Sequence, residues 1–148
     1  MNLSTILSID TVKTGLKSLD KQGIIDELIG ILHSTGAIRD IQAAKLAVMD
    51  RESRLSTGMK YGIAIPHGKT TTVERLVACV GVSEASIPFD SLDGEPSRIF
   101  IMTLSPPEKT GPHLQFLAEV SQLFKDESRR QHVLQAKTSA ELLELITG

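Results

Sequence analysis

The stretch "ERLVACVGVSEASIPFDSLDGEPSRIFIMTLS", Glu74 to Ser105, decides the fold class. Its two ends, "ERLVACVGV" and "SRIFIMTLS", are rich in the β-branched and aliphatic residues that are typical of buried strands. Between them, "DSLDGEPS" contains Asp93-Gly94 and Pro96, which favour a turn. The stretch therefore predicts two strands joined by an antiparallel return. "IAIP", which ends at Pro66, predicts a further strand, so the sheet lies in the middle of the chain.

Helical patterns precede these strands. Asp20 is the expected N-cap of the helix "KQGIIDELIGILHS", and Gly36 is its stop signal. Asp40 begins a second predicted helix, "IQAAKLAVMDRES", with Ile41, Ala44, Val48 and Arg51 along a helical spacing. Because Arg51 falls near the end of this helix, we expect its side chain to point toward the following loop, "LSTGMKYG".

Three more helical patterns follow the strands. Pro112 suits the first turn of "HLQFLAEVSQLF", whose expected apolar stripe is Leu114, Leu117, Val120, Leu123 and Phe124. "ESRRQHVLQA" follows Asp126, and Thr138 with Glu141 opens "SAELLELIT" as a capping box. Helices on both sides of central strands predict an α/β or α+β-like class, with one sheet covered by helices. We expect a single domain over residues 1–148.

Composition excludes several classes of protein. Hydrophobic residues make up 41% of the chain and aromatic residues only 3%, which predicts an aliphatic core. A formal charge of −2 without a basic cluster argues against a nucleic-acid partner. The single cysteine, Cys79, allows no internal disulfide, which fits a reducing cytoplasm. No signal peptide and no apolar run near ~20 residues is present, so neither export nor membrane insertion is expected.

His67 is the first candidate for chemistry, in the stretch "YGIAIPHGKTTT". Pro66 fixes its own φ angle before the histidine, and Gly68 allows backbone conformations after it that are closed to other residues. We therefore expect the two residues to hold the imidazole on a defined turn. A neutral imidazole nitrogen at physiological pH can act as a nucleophile, a base or a metal ligand. A purely structural hydrogen bond in a turn is the alternative.

His113 and Arg51 are the other candidates. His113 opens a helix, where free backbone N–H groups and the helix dipole favour an anion such as phosphate. Arg51 supplies a guanidinium fork suited to phosphate oxygens. A surface histidine and a solvated arginine are the respective alternatives. Cys79 is expected to be a small buried hydrophobe, and no chemistry is assigned to His33 or His132.

Familiar metal and nucleotide motifs are missing from the sequence. No H-x-x-x-H or H-E-x-x-H pair places two ligands on one helix face, so a metal site is not expected. Neither G-x-x-x-x-G-K-[ST] nor G-x-G-x-x-G occurs, so phosphate is not expected to arrive on a nucleotide held by a glycine-rich loop. A phosphorylated protein is the more attractive donor.

The residues "DRESRLSTGMKYGIAIPHGKT" resemble the enzyme IIA domains of the phosphoenolpyruvate-dependent sugar phosphotransferase system, fructose/mannitol type, including its nitrogen-regulatory branch. The similarity resumes with "FDSLDGEPSRIFIMTLSPP" and "HLQFLAEVSQLF", and extends from about Leu3 to Ile146. It implies a mixed parallel and antiparallel sheet flanked by helices. It also implies a phosphocarrier without cofactor or metal, and without an attached IIB or IIC part.

The resemblance implies roles for the candidate residues. His67 would accept a phosphoryl group from the phosphohistidine of HPr or its nitrogen-branch relative, then pass it to a IIB domain or use it as a regulatory switch. Arg51 and His113 would be the active-site arginine and second histidine. The loop of Ser56, Thr57 and Gly58 is expected to support the phosphate with hydroxyl or backbone donors, as is Gly68 beside His67.

The sequence departs from the family at Met59-Lys60-Tyr61, where relatives often have small residues. We expect this change to affect partner choice, and we expect Leu55, Met59 and Tyr61 to form an exposed apolar rim for docking. A freestanding chain favours the nitrogen-regulatory branch. A sugar-specific fructose/mannitol IIA component is the alternative, and a protein-binding module that is never phosphorylated is a more remote one.

Overall fold

The computed structural model describes residues 3–148, and it consists of one five-stranded sheet with helices on both faces. Residues 1 and 2 of the expected domain lie outside the described residues. The helices are α1 (Leu3–Ile6), α2 (Lys21–Ser34), α3 (Ile41–Arg54), α4 (Thr110–Leu123), α5 (Glu127–Gln135) and α6 (Ser139–Thr147). The strands are β1 (Val12–Leu16), β2 (Ile63–Ala64), β3 (His67–Lys69), β4 (Val77–Ile87) and β5 (Ser97–Ser105).

The sheet mixes parallel and antiparallel pairs, as the resemblance implies. Its order is β1-β4-β5-β2, with β3 also paired to β5. The pair β4–β5 is antiparallel, with Val80 opposite Ile101, which confirms the return predicted around Asp93-Gly94. The pairs β1–β4, β2–β5 and β3–β5 are parallel. Strands β2 and β3 therefore form one edge of the sheet, and β1 forms the other.

Two apolar clusters, one on each face, hold the helices to the sheet. On one face, Leu28 of α2 and Val48 of α3 pack in a cluster with Phe100 and Met102 of β5. On the other face, Phe116 of α4 packs in a cluster with Ile101 of β5, together with residues of α5 and α6. The side chains of β5 alternate between the two clusters because successive residues of a strand point to opposite faces. The core is largely aliphatic, as predicted.

The predicted helices are present with small differences. Asp20, Asp40 and Asp126 cap α2, α3 and α5, and Thr138 accepts the backbone N–H of Glu141 at the start of α6. The predicted stripe of α4 is wrong at Leu114, which is exposed, while His113 and Phe116 are buried instead. The helix is therefore rotated so that His113, Phe116 and Val120, which follow one another at steps of three and four residues, face the sheet. No helix within residues 3–148 combines the length and apolarity that membrane crossing requires.

Strand β1 was not predicted, and strand β4 was predicted to start too early. Strand β1, "VKTGL", is short and polar, and Gly15 has a φ of +71° where its register against β4 shifts. Its pairing with β4 rather than its composition makes it a strand. Strand β4 begins at Val77 instead of Glu74 and extends to Ile87.

Candidate functional site

His67 lies on the edge strand β3, not on a turn as the sequence analysis expected. It pairs in parallel register with Thr103 of β5, and the carbonyl of Pro66 accepts the Thr103 backbone N–H at 3.2 Å. Gly68 allows α3 to pack against this strand. An added Cβ on Gly68 would lie 2.7 Å from the carbonyl carbon of Ala47, so α3 packs directly on the backbone of β3. The glycine at this position is therefore needed for the close approach of α3 and β3, and not for a turn.

The tautomer of His67 follows from its hydrogen bond. Its Nδ1 lies 2.8 Å from the backbone carbonyl oxygen of Ile65. A carbonyl oxygen can only accept, so Nδ1 carries the proton and Nε2 keeps its lone pair in the neutral ring. The imidazole is half-buried, with Nδ1 bonded to a carbonyl of the connection between β2 and β3. Nε2 is therefore the nitrogen available as a nucleophile.

His113 lies in the first turn of α4 and is buried, not on the surface. Its ring centroid is 5.0 Å from that of His67, with the rings tilted by 49°. Its Nδ1 is buried and has no hydrogen-bond partner among the residues that the structure describes. The fold thus brings together two histidines that are far apart in the sequence.

Arg51 approaches the two imidazoles from the end of α3. Its Nη1 donates to the backbone carbonyl of Leu55 at 2.7 Å, so the side chain points toward the loop as predicted. Lys69, two residues after His67, donates to the Thr110 hydroxyl at 3.1 Å. Arg51 and Lys69 both lie near enough to act electrostatically on His67 and His113.

Burial and positive charge keep both imidazoles neutral. For His67, burial is the main cause that lowers the pKa, and Arg51 and Lys69 lower it further, while the bond to Ile65 and the charge of Glu52 oppose the shift. For His113, burial and then His67, Lys69 and Arg51 lower the pKa to about 4. Two neutral rings beside two cations form a site that favours an anion.

The loop of Ser56, Thr57 and Gly58 lies beside α3, but several of its donors are engaged within the protein. Thr57 donates its backbone N–H and its hydroxyl to Glu52, and the Ser56 hydroxyl donates to the carbonyl of Phe89. The Gly58 N–H donates to the Ser56 hydroxyl at 3.0 Å. The loop is thus held firmly in place, and its direct contact with phosphate stays a prediction.

Glu52 is the residue of the site that sequence reasoning missed. It is buried on α3 and binds Lys21 and Thr57. A signal was present, because Glu52 follows Ala44 and Val48 at four-residue steps and so falls on the buried face of the helix. A carboxylate at a core position needs a partner and is a reason to search for one.

The predicted apolar rim is exposed. The exposed fractions are 66% for Leu55, 37% for Met59 and 61% for Tyr61. Tyr61 has a φ of +65°, its backbone N–H donates to Asp93, and the Arg130 guanidinium lies 4.3 Å from its ring centroid. These contacts fix the backbone and the ring of Tyr61 at the exposed end of the segment Met59-Lys60-Tyr61.

Cys79 is buried and free, as predicted, and burial raises the pKa of its thiol. His33 and His132 are exposed and lie in the last turns of α2 and α5. Across residues 3–148, no three His, Cys, Asp or Glu side chains gather as a metal-binding group.

The low pKa of His113 predicts a pH dependence of stability. Between about pH 4 and about pH 6.5, the unfolded chain binds a proton at this residue that the folded protein does not. The free energy of unfolding therefore rises with pH across this window, and the contribution of neutral His113 is lost as the pH falls toward 4. Denaturant unfolding at pH 7 and pH 5 should show a larger loss for the wild type than for His113→Gln. Equal losses would contradict the assignment.

Sequence comparison gives one family over nearly the whole chain. The family described as "Phosphoenolpyruvate-dependent sugar phosphotransferase system, EIIA 2" matches residues 5–148. The chain is 34% identical over 146 residues to the fructose-specific EIIABC component of Bacillus subtilis, covering 99% of this chain but only 23% of that protein. It is 31% identical to the fructose-specific EIIA component of Haloferax volcanii, covering 93% of this chain and 89% of that protein. It is also 31% identical to a nitrogen regulatory protein of Klebsiella oxytoca, covering 99% of this chain and 91% of that protein.

Solved structures share the fold. The crystal structure of the nitrogen regulatory protein IIA-Ntr from Neisseria meningitidis superposes with a TM-score of 0.91 at 23% identity, covering 98% of this chain and 99% of that one. A second match is a chain of the complex of enzyme IIAMTL and phosphorylated enzyme IIBMTL from Escherichia coli. It superposes with a TM-score of 0.81 at 21% identity, covering 95% of this chain and 96% of that one. The mixed sheet, its flanking helices and the family match agree, and the chain belongs to the EIIA type 2 family of the phosphoenolpyruvate-dependent sugar phosphotransferase system.

Proposed function

We propose that this chain is a phosphocarrier in which Nε2 of His67 accepts a phosphoryl group from the phosphohistidine of HPr or of its nitrogen-branch relative. The observation that carries this proposal is the 2.8 Å bond between Nδ1 and the Ile65 carbonyl. That bond leaves the Nε2 lone pair free beside the cationic Arg51 and the neutral His113. Family membership supports the same chemistry.

The transfer step is an exchange of one P–N bond for another. The Nε2 lone pair of His67 attacks phosphorus while the P–N bond to the donor imidazole breaks, and that electron pair stays on the donor nitrogen. A donor ring that carries a proton on its second nitrogen departs neutral. His67 becomes a phosphorylated imidazolium, whose Nδ1 proton stays bonded to the Ile65 carbonyl. An exchange between two histidines requires no metal.

Charge and positioning assist the step. The Leu55 carbonyl holds the Arg51 guanidinium through Nη1, and its remaining N–H groups bind phosphoryl oxygens. His113 donates a hydrogen bond to the same oxygens from its Nε2. Because the moving phosphoryl group carries negative charge, these donors stabilise it where it transfers. Ser56, Thr57, Gly58 and Gly68 support the site by holding α3, β3 and the loop together.

The branch of the system is a further part of the proposal. We propose the nitrogen-regulatory role, in which the phosphorylation state of His67 decides which target the protein binds, because a nitrogen regulatory relative matches 99% of this chain and 91% of its own length. Phosphorylation places a dianionic phosphoryl group on an uncharged ring, a net gain of about one negative charge while Nδ1 keeps its proton, and such a change can make or break a docked interface. The 34% identity to a fructose-specific component favours the alternative, transfer to a IIB domain in sugar uptake.

Incubation with phosphoenolpyruvate, enzyme I and HPr of either branch tests the proposed function. Intact mass should show an acid-labile gain of one phosphoryl group, and the HPr that transfers faster identifies the branch. The same mass spectrum without phosphoenolpyruvate is the control. If no donor produces the gain, the chain is a binding module rather than a phosphocarrier.

The exposed rim predicts a second result. Met59→Asp and Tyr61→Asp place charges on apolar side chains that we expect to be covered when HPr docks, so each should slow transfer from HPr by about tenfold. Ile9→Asp is the matched control, because Ile9 is 52% exposed and lies next to β1, at the other edge of the sheet. Transfer rates from HPr that are equal in all three variants would remove the rim from the docking surface.

A further inference from the structure

Glu52 is a charged side chain buried beside the proposed phosphoryl site. It lies on α3 next to Arg51, and only 4% of its side chain is exposed. Carboxylates are almost never buried to this extent unless they are paired. Bonding partners for this carboxylate are therefore expected.

Three contacts satisfy the Glu52 carboxylate. Lys21 Nζ lies 2.8 Å from Oε1, the Thr57 backbone N–H donates at 3.0 Å, and the Thr57 hydroxyl donates at 2.5 Å. Burial by itself would raise the pKa of Glu52, but the bonds from Lys21 and Thr57 outweigh it and lower the pKa. The carboxylate is thus ionised at neutral pH, and its charge is part of the network.

The network extends to the connection between β4 and β5. Lys21 also lies 3.4 Å from Asp90 and 4.7 Å from the centroid of the Phe89 ring. The Ser56 hydroxyl donates to the Phe89 carbonyl, and the Leu92 N–H donates to the Gly58 carbonyl at 3.1 Å. Glu52 therefore joins the start of α2, the loop after α3 and the β4–β5 connection.

The same loop holds Arg51. The Arg51 guanidinium donates to the Leu55 carbonyl, two residues before Thr57. Because the bonds to Glu52 fix Thr57, they restrict the orientation of the Leu55 carbonyl as well. The resting position of the guanidinium thus depends on a carboxylate that is bonded to Lys21 and Thr57.

We infer that Glu52 is a positioning residue for phosphoryl transfer, whose buried carboxylate fixes the Leu55–Gly58 loop and, through it, the Arg51 guanidinium beside His67. This inference rests on the proposed function. Transfer depends strongly on such placement, because an error of about 1 Å in the position of a reacting or stabilising group can cost about 100-fold in rate.

Glu52→Gln tests the inference because it keeps the shape and one acceptor for Thr57 but removes the charge that binds Lys21. We expect transfer at saturating donor to slow by about 10-fold to 100-fold, with little change in donor affinity. The slowing should be the same with phosphorylated HPr and with phosphoramidate, a small phosphoryl donor that needs no docking. Asp50→Asn is the matched control, since Asp50 is also adjacent to Arg51 but forms an exposed pair with Arg54. Its rate should stay within about twofold of wild type.

Lys21→Met/Glu52→Gln separates positioning from stability. This double variant also removes the ammonium that Glu52→Gln leaves without its buried partner, so we expect thermal stability to recover while transfer stays slow. Thr57→Val is the second test, which keeps the ion pair and loses the hydroxyl bond. It should slow transfer by about threefold or more, and it applies if Glu52→Gln does not fold.

Several results would overturn the inference: a wild-type rate in Glu52→Gln or in Thr57→Val, an equally slow Asp50→Asn, or full recovery of rate in the double variant. A wild-type protein that no donor phosphorylates would instead overturn the proposed function. The two failures are therefore distinguishable.

Discussion

His67→Ala should abolish the acid-labile gain of one phosphoryl group with every donor. Of the two ring nitrogens of His67, Nε2 is the one left unprotonated and free, because Nδ1 is bonded to the Ile65 carbonyl. His113 does not offer a substitute at the same position, since the first turn of α4 buries it. Loss of the acceptor removes the covalent intermediate, so the expected effect is complete rather than partial. Intact mass after incubation with the phosphorylated donor measures it.

Two other histidine variants provide the controls for this result. His113→Ala should slow the transfer without abolishing it, because it removes a donor to the phosphoryl oxygens and not the acceptor. His132→Ala should transfer at the wild-type rate, since His132 is an exposed residue of α5. A phosphorylated His67→Ala protein would place the acceptor at another residue and would contradict the proposed chemistry.

Gly68→Ala is expected to damage both stability and transfer. The three atoms nearest to an added Cβ belong to the backbone of α3, at 2.7 Å, 2.9 Å and 2.9 Å, so a side-chain rotation cannot relieve the overlap. Helix α3 must move away from β3, which should reduce the free energy of unfolding by about 3 kcal/mol, the upper part of the usual overpacking cost. The same movement separates Arg51 from His67, so transfer should slow by about tenfold or more. Urea unfolding and the transfer assay measure the two effects.

Gly30→Ala is the matched control for this substitution. An added Cβ on Gly30 meets nothing within 4 Å, and the residue lies inside α2. Alanine should therefore stabilise the protein by roughly 0.5–1 kcal/mol through its higher helix propensity, with transfer unchanged. A Gly68→Ala variant as stable and as active as Gly30→Ala would show that α3 and β3 are not packed as closely as the structure has them.

Local patterns in the sequence were sufficient for much of the fold. The sequence predicted a cap at Asp20, a capping box opened by Thr138, and helices that follow Asp40 and Asp126. Each of these four side chains accepts a backbone N–H from the first turn of its helix. Strand β5 has the predicted bounds, Ser97–Ser105. These predictions succeeded because a cap bonds to residues two or three positions away, and a buried strand shows its apolar composition within its own segment.

Local patterns failed where a distant element determines the conformation. Strand β1 carries Lys13 and Gly15 and becomes a strand by pairing with β4, more than sixty residues further along the chain. Pro66-His67-Gly68 has the composition of a turn, yet β5 on one side and α3 on another hold it extended. In α4, helical periodicity alone did not distinguish Leu114 from Phe116 as the buried position.

The sequence by itself determined the family, the class of fold and the candidates His67, His113 and Arg51, because these follow from motifs and from spacing along the chain. Only the tertiary structure decided that two distant histidines lie 5.0 Å apart, that His67 Nε2 keeps its lone pair, and that Glu52 is buried and paired. The physical reason is that burial and hydrogen bonding at the site depend on packing between separate elements, β3 against α3 and α4, and a side chain acquires its protonation state from those neighbours.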